Sequence, residues 1–250
     1  MKTRLAAVAA CSLLMTHVVQ AAEIKMLAAG AVKEAFLELV PQFEGSSGNK
    51  VTATWTGSAD IRKRIGAGEV FDLVIVGAPD VDAFIKDGKV TPGSRVDIAR
   101  SGVGVAVKAG SPRPDISSSE AVKKALLSAR AVAYSTGPSG AYIQRLFDRL
   151  GIADQMKDKS KQPPAGVRVA QYLANGEAEL GFQQVSELVH EAGIDFLGPL
   201  PAEIQNVTVY SSGVPTGSNA SESAKALQAF LSAPAAAPVF RKNGMDPNHP

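Results

Sequence analysis

The sequence predicts an α/β protein with largely parallel sheets, folded as two similar lobes that face one another. Three observations carry this. Strand-like apolar runs alternate with helix-like amphipathic runs along the chain. Small-residue loops join strand to helix in "LAAGAVKEAF" and again in "YSTGPSGAYIQRLF". A second device, a helix end followed by x-Gly-Glu-x and a strand, occurs in "RIGAGEVFDLVIV" and in "YLANGEAELGFQQ". Each half therefore carries the same two devices in the same order. Either two lobes face each other, or any α/β chain repeats such units.

The elements follow from local pattern. "IKMLAAG" (24–30) reads as a short strand, and "AVKEAFLELVPQFEGSSG" as a helix with Val32, Phe36, Leu39 and Val40 on one face. "VTATWT" (51–56) is a strand, "GSADIRKRIGAG" a loop-to-helix step, and "FDLVIV" (71–76) a buried strand. "APDVDAFIKDGKV" is a helix and "GVGVAVKAG" (102–110) a strand. The second set opens with "SSEAVKKALLSA", a helix with a Ser cap and Glu120 behind it. "RAVAYS" is then a strand, with "SGAYIQRLFDRLG" and "VRVAQYLANG" as helices. "AELGFQQ" is a strand, "SELVHEAG" a helix, "IDFLG" a strand and "NVTVYSSGV" (206–214) a strand. "SESAKALQAFLSAPAAAPVFRKNG" closes with helices.

The first residues set the compartment. Lys2 and Arg4 precede an apolar run from Leu5 to about Met15, then a polar stretch ending in small residues, the layout of a secretory leader cut after about Ala21. Residues 1–21 are thus expected to be removed and the protein to work in the periplasm. The run is shorter than the roughly 20 residues a membrane-spanning helix needs. "VAAC" resembles a lipid-attachment box only loosely, so an exported soluble protein is expected. The one cysteine, Cys11, lies in the leader, so the mature chain has no disulfide and must stand on its apolar core. With Lys2 and Arg4 removed, 24 acids face as many cations, with no basic run to bind nucleic acid. GxSxG, HExxH and a P-loop are all missing. No cofactor or metal is expected.

At "YSTGPSGAYI" a helix opens on Ser139 and Gly140, offering unpaired N–H groups and a positive dipole end to an anion. In open α/β sheets ligands sit beyond the carboxyl ends of strands, where these loops lie.

Taken in order, "LAAGAVKEAF", "TGSADIRKRIGAGEVFDLVIV", "GPSGAYIQRLFDRLG", "GVRVAQYLANGEAELGFQQVSEL" and "LQAFLSAPAAAPVFRKNGM" resemble the periplasmic solute-binding proteins of molybdate-binding type, of the ABC-importer class. The resemblance covers about 24 to 245. It implies a two-lobed (type II) binding protein, each lobe a mostly parallel sheet flanked by helices, with two crossing segments near 100–108 and 205–212. Lobe I would hold 22–102 and 208–250, and lobe II 103–207. The family's hydroxyl after the first strand is missing here, where Gly30-Ala31 stands. Its other positions fall on Ser58, Ser139, the backbone at Val167, and Gln184 in place of a Tyr. Each lost hydrogen bond to a charged ligand costs about 1.5–3 kcal/mol, which counts against tetrahedral molybdate.

Gln183 and Gln184 suit a larger ligand such as a carboxylate. Arg168 and Lys33 either partner its charge or stand as solvated cations. Tyr142, three residues after Ser139, either reaches the ligand or packs between helix and sheet. The expected binding set is Ala31, Ser58, Ser139, Gly140, Tyr142, Val167, Arg168 and Gln184. The pattern "YS…SGxYIQRLF…LG", then "GFQQVSEL" and "GPLPAEIQ", is also similar to periplasmic aconitate isomerases, which interconvert cis- and trans-aconitate. Allylic isomerisation needs a base beside a carboxylate. His190, Glu187, Tyr134, Tyr142 and Tyr210 are its candidates, and the sequence selects none. His249 sits at the extreme C-terminus. The favoured reading is a monomeric carrier that clamps a small anion for an inner-membrane permease. The alternative is an isomerase of an unsaturated tricarboxylate.

Overall fold

The structure, a computed structural model, describes residues 21–164 and 166–248. Residues 1–20 of the expected leader, and His249, lie outside them. The alternation read from the sequence is present. β1 (Glu23–Ala29) runs through a short 3-10 turn into α1 (Lys33–Ser47), which stops at the left-handed Gly48. β2 (Lys50–Thr56), α2 (Ser58–Gly66), β3 (Leu73–Gly77) and α3 (Ala78–Lys86) follow, then β4 (Val96–Lys108). α4 (Ser119–Ser128) is capped by Ser118, whose hydroxyl accepts from Ala121 N at 3.1 Å. Next come β5 (Val132–Tyr134), α5 (Pro138–Arg149), α6 (Ala153–Met156), β6 (Ser160–Lys161), α7 (Val169–Ala174) and β7 (Leu180–Gln184). β8 (Ile194–Pro199), β9 (Val207–Gly213), α8 (Ser221–Ser232), α9 (Ala237–Lys242) and β10 (Asp246–Pro247) complete it.

Strand order along the sheet is β2-β1-β3-β9-β4-β7-β5-β6, with β8 and β10 also pairing β4. The outer strands are parallel, β1 to β2 and β3, and β5 to β6 and β7. The inner strands are antiparallel, β9 to β3 and β4, and β4 to β7 and β8. β4 begins six residues before the expected 102. Its first half, through Gly102, pairs β9, and its second half pairs β7 and β8.

Burial follows the same division. One apolar cluster draws on Ile24 to Ala99 and Tyr210 to Met245. The other two draw on residues between Val103 and Ile204. Ile98 and Ala99 of β4 belong to the first cluster, and Val103, Val105 and Val107 to the second.

One expected helix does not form. "SELVHEAG" is a 3-10 turn over Val185–Glu187 followed by turns, closed by the left-handed Gly193. Eight residues with a glycine at the end are too short to nucleate a helix without a packed face. The helix read from "VRVAQYLANG" is confined to α7, with Val167 outside it and Arg168 at its cap.

Asp72 fastens the chain's return to the first cluster. The side chain is 4% exposed, accepts Lys25 N at 2.9 Å on one oxygen, and on the other accepts Ser218 Oγ, Asn219 N and Ala220 N. Burial alone would raise its pKa, but these donors together hold it below the usual 3.8. Asp72→Ala leaves buried N–H groups without an acceptor, and the expected loss is about 3 kcal/mol or more by urea denaturation. Because the folded pKa is depressed, the stabilisation from Asp72 is present above its unfolded pKa and fades as pH falls through the folded value, whereas the variant shows no such loss.

Candidate functional site

A cavity of about 200 Å³ lies where loops from both groups of strands converge. At about 30 Å³ per water it has room for roughly six or seven waters, more than a five-atom tetrahedral oxyanion fills. Its wall includes Ala31 and Lys33 after β1, Ser58 opening α2, Ser139 opening α5, Val167 and Arg168 before α7, and Gln183, Gln184 and Glu187 at the end of β7. Tyr210 of β9 lines it too. Six of the eight residues expected from the sequence therefore meet in one cavity; Gly140 and Tyr142 do not line it.

Two helices point their amino ends here. α2 and α5 each begin at a glycine, Gly57 and Gly137, with no side-chain cap, so no side chain competes for their first N–H groups. Ser58 is buried, lines the cavity and makes no side-chain hydrogen bond with the described residues. Ser139 Oγ is 2.9 Å from Ser135 Oγ, which also accepts Gly137 N.

Gly140 supports the site from behind. A Cβ there would lie 1.5 Å from the Ser135 carbonyl oxygen, so only glycine lets the first turn of α5 press against the preceding loop. Tyr142 is one turn further along the helix, about 4.5 Å from Ser139 by the helical rise. Its hydroxyl donates to Ile204 O at 2.6 Å and its ring packs in the second core cluster. Tyr134 packs there too, edge-on to Phe147 at 5.7 Å. His190 is exposed and off the cavity.

Two wall residues spend their polar groups elsewhere. Val167 N donates to Pro164 O at 3.0 Å, so that amide is already used. Gln184 is 1% exposed, and its amide is oriented so that nitrogen donates to Ser101 O and Gly102 O while oxygen accepts from Thr208 Oγ1 at 3.0 Å. Gln183 accepts from Val169 N at 3.0 Å and donates to Glu187 Oε1 at 2.9 Å. Arg168 bonds Glu34 of α1 at 3.1 Å and pairs with Glu191 as well. Lys33 is in no ion pair with a described residue.

Glu187 is the unusual group. It meets the cavity and is half-buried there, yet protein surrounds it deeply enough that burial pushes its pKa from the usual 4.5 to about 7. The Gln183 hydrogen bond and the Arg168 charge pull it down only in part. Gly30 makes room for it, since a Cβ at position 30 would stand 3.3 Å from Glu187 Oε1. Where the resembling family carries a hydroxyl, this chain has a glycine facing a carboxylate. Trp55, Thr56, Ser135 and Thr136 also line the wall and were not singled out from the sequence. Ser135 and Thr136 lie inside the small-residue run, and that was the available signal. Among the described residues no group of His, Cys, Asp and Glu is placed to hold a metal, and no helix is long and apolar enough to cross a membrane.

Two stability measurements check this geometry. Gly140→Ala should lower the melting temperature, although alanine is the better helix former by about 1 kcal/mol. Glu187 has a folded pKa above its unfolded one, so it makes the protein less stable as pH rises from about 4.5 to about 7. Glu187→Gln removes that cost, and its melting temperature should exceed wild type by more at pH 8 than at pH 5.

Comparison with known proteins agrees with the fold. The chain is 34% identical to an aconitate isomerase of a Pseudomonas species over 230 residues, 90% of this chain and 87% of that one. It is 27% identical to the molybdate-binding protein of Escherichia coli strain K12, covering 89% of this chain and 88% of that one. The periplasmic molybdate-binding protein of Azotobacter vinelandii superposes with a TM-score of 0.76 at 19% identity, over 89% of this chain and 98% of that structure. Residues 24–246 match the bacterial extracellular solute-binding proteins, and the chain belongs to that family.

Proposed function

We infer that the protein binds a small organic polycarboxylate in this cavity and isomerises it by moving a proton across an allylic unit, as between cis- and trans-aconitate. The single observation that carries this is Glu187, an acid with a pKa of about 7 in a cavity otherwise built for anions. A site that only holds an anion gains nothing from a carboxylate in its wall. A site that moves a proton at neutral pH needs one.

Ionised Glu187 takes a proton from the methylene beside a carboxylate. The electron pair spreads over the allyl unit onto that carboxylate. The amide ends of α2 and α5 and the Ser58 hydroxyl stabilise the charge. Glu187, now protonated, returns the proton at the other end of the unit, where a new C–H bond forms as the double bond shifts. The cavity's size and the likeness to an aconitate isomerase support a tricarboxylate of this kind. Lys33 supplies a cation for one carboxylate.

Two further readings belong to the same proposal. The division of the apolar clusters supports lobes of 22–102 with 208–250, and of 103–207, turning about β4 and the segment near 205–212. Removal of residues 1–21 would deliver the protein to the periplasm. A carrier for an ABC importer remains the second reading, supported by the molybdate-binding relative.

The test is incubation of pure protein with cis-aconitate, following the trans isomer by proton NMR. Turnover is expected, with kcat/KM rising as pH passes through about 7 because the ionised base is the active form. Arg168, Lys33 and Tyr210 are the other ionisable groups on the wall. Glu187→Gln should lose on the order of 100-fold or more in kcat. Thermal stabilisation by aconitate without turnover would replace this conclusion with the carrier.

A further inference from the structure

Tyr210 is 1% exposed, its ring packed in the first apolar cluster and its backbone paired to Gly77 of β3 and Ala99 of β4. It nevertheless lines the cavity. Its hydroxyl makes no hydrogen bond with any described residue, in contrast to Tyr142, whose hydroxyl is satisfied by Ile204 O. Among the described residues the one fully enclosed side-chain polar atom without a partner is Ser186 Oγ. The unbonded Tyr210 oxygen is therefore not fully enclosed, and the cavity is a space that Tyr210 lines. Buried phenols normally find a partner, and leaving one bare is costly. The ring is otherwise fully used in packing, so phenylalanine would serve the core equally well.

We propose that the Tyr210 hydroxyl is a catalytic contact, donating a hydrogen bond to the substrate carboxylate on which charge gathers while Glu187 holds the proton. This rests on the isomerase reading above. The two residues reach the same cavity from different elements, Tyr210 from β9 in the first cluster and Glu187 from the turn after β7. Burial first, and the nearby Glu187 charge second, push the phenol's pKa well above its ordinary 10. The group therefore stays protonated and remains a donor throughout the working range. It takes part in no net proton transfer: the proton leaves carbon for Glu187 and returns from Glu187 to carbon, while the Tyr210 O–H stays intact.

The experiment compares full-length wild type and Tyr210→Phe in two assays, aconitate turnover and aconitate-induced thermal stabilisation. The expected result is a kcat lower by about 100-fold, in line with removal of one donor to developing charge. KM should change little, and the ligand-free melting temperature should be equal or higher. A purely structural tyrosine would show the reverse, a lower melting temperature with kcat preserved. Wild-type kcat in Tyr210→Phe overturns the proposal. If wild type is stabilised by aconitate but does not turn it over, the isomerase reading fails alone. Tyr210 is then judged on binding: affinity at least tenfold weaker in Tyr210→Phe supports the contact, and equal affinity overturns it. If Tyr210→Phe does not fold, 3-fluorotyrosine at position 210 keeps the shape and strengthens the donor. An altered kcat then supports the contact, and an unaltered one overturns it.

Discussion

β4 leaves one apolar core and enters another without a break in the strand, and the cavity is lined by elements from both sides of that passage. Where the strand changes partners, Val103 N donates to Asn206 O at 3.2 Å and Val103 O accepts from Leu200 N at 2.9 Å. Two glutamines add further bonds there. Gln205 accepts from Val103 N and Asn206 N, and donates to Val103 O and Leu200 O. Gln184 donates to Ser101 O and Gly102 O from the cavity side. Glycines take the tightest places: a Cβ on Gly104 would meet the Phe196 ring at 2.8 Å, and one on Gly102 would meet the Gln205 amide at 3.1 Å. The crossing is therefore closely fitted, and Tyr210 and Glu187 both line the cavity beside it.

With the walls placed, the charge balance of the cavity is set by what is already neutralised. Arg168 reaches from the loop before α7 to Glu34 on α1, and pairs with Glu191 too. An arginine shared by two carboxylates has little left to offer an anion. The attraction then rests on Lys33 and on the uncapped ends of α2 and α5, which work as oriented dipoles at short range. Such a site is suited to charge that appears at one place during a reaction, because its donors are already aimed and need no reorganisation.

Much of this was legible in the residues themselves. Strand and helix alternation located the elements, and the small-residue loops located the cavity, because chain direction alone places loops at the carboxyl ends of strands. The misreadings share a cause. Gly140 looks like a ligand contact in "PSGAY", but its role is set by the Ser135 carbonyl five residues earlier, a distance that no local pattern states. Tyr142 has the right polarity and neighbourhood, and its hydroxyl is claimed by Ile204. Gln184 does line the cavity, with its amide bonded to β4 and β9. "SELVHEAG" has helical composition, but it forms turns because neighbouring strands leave it no length. Glu187 sat in the sequence as one of several candidate bases. What distinguishes it is burial, and burial is a property of the whole fold.

The distinction between holding and converting a ligand comes down to the pair Gly30 and Glu187. A hydroxyl after β1 would give an anion one more donor. Instead that position is bare, and a carboxylate occupies the room. At pH 7 about half of that carboxylate is charged, and the charged half repels an anion while the fold bears the desolvation. Both effects weaken a carrier, and neither is needed to shape the cavity, since a glutamine would accept the Gln183 hydrogen bond equally well. Under the isomerase reading we propose, an acid poised between its two forms, touching a ligand held by Lys33 and helix dipoles, takes a proton from carbon and gives it back, which a neutral amide cannot do.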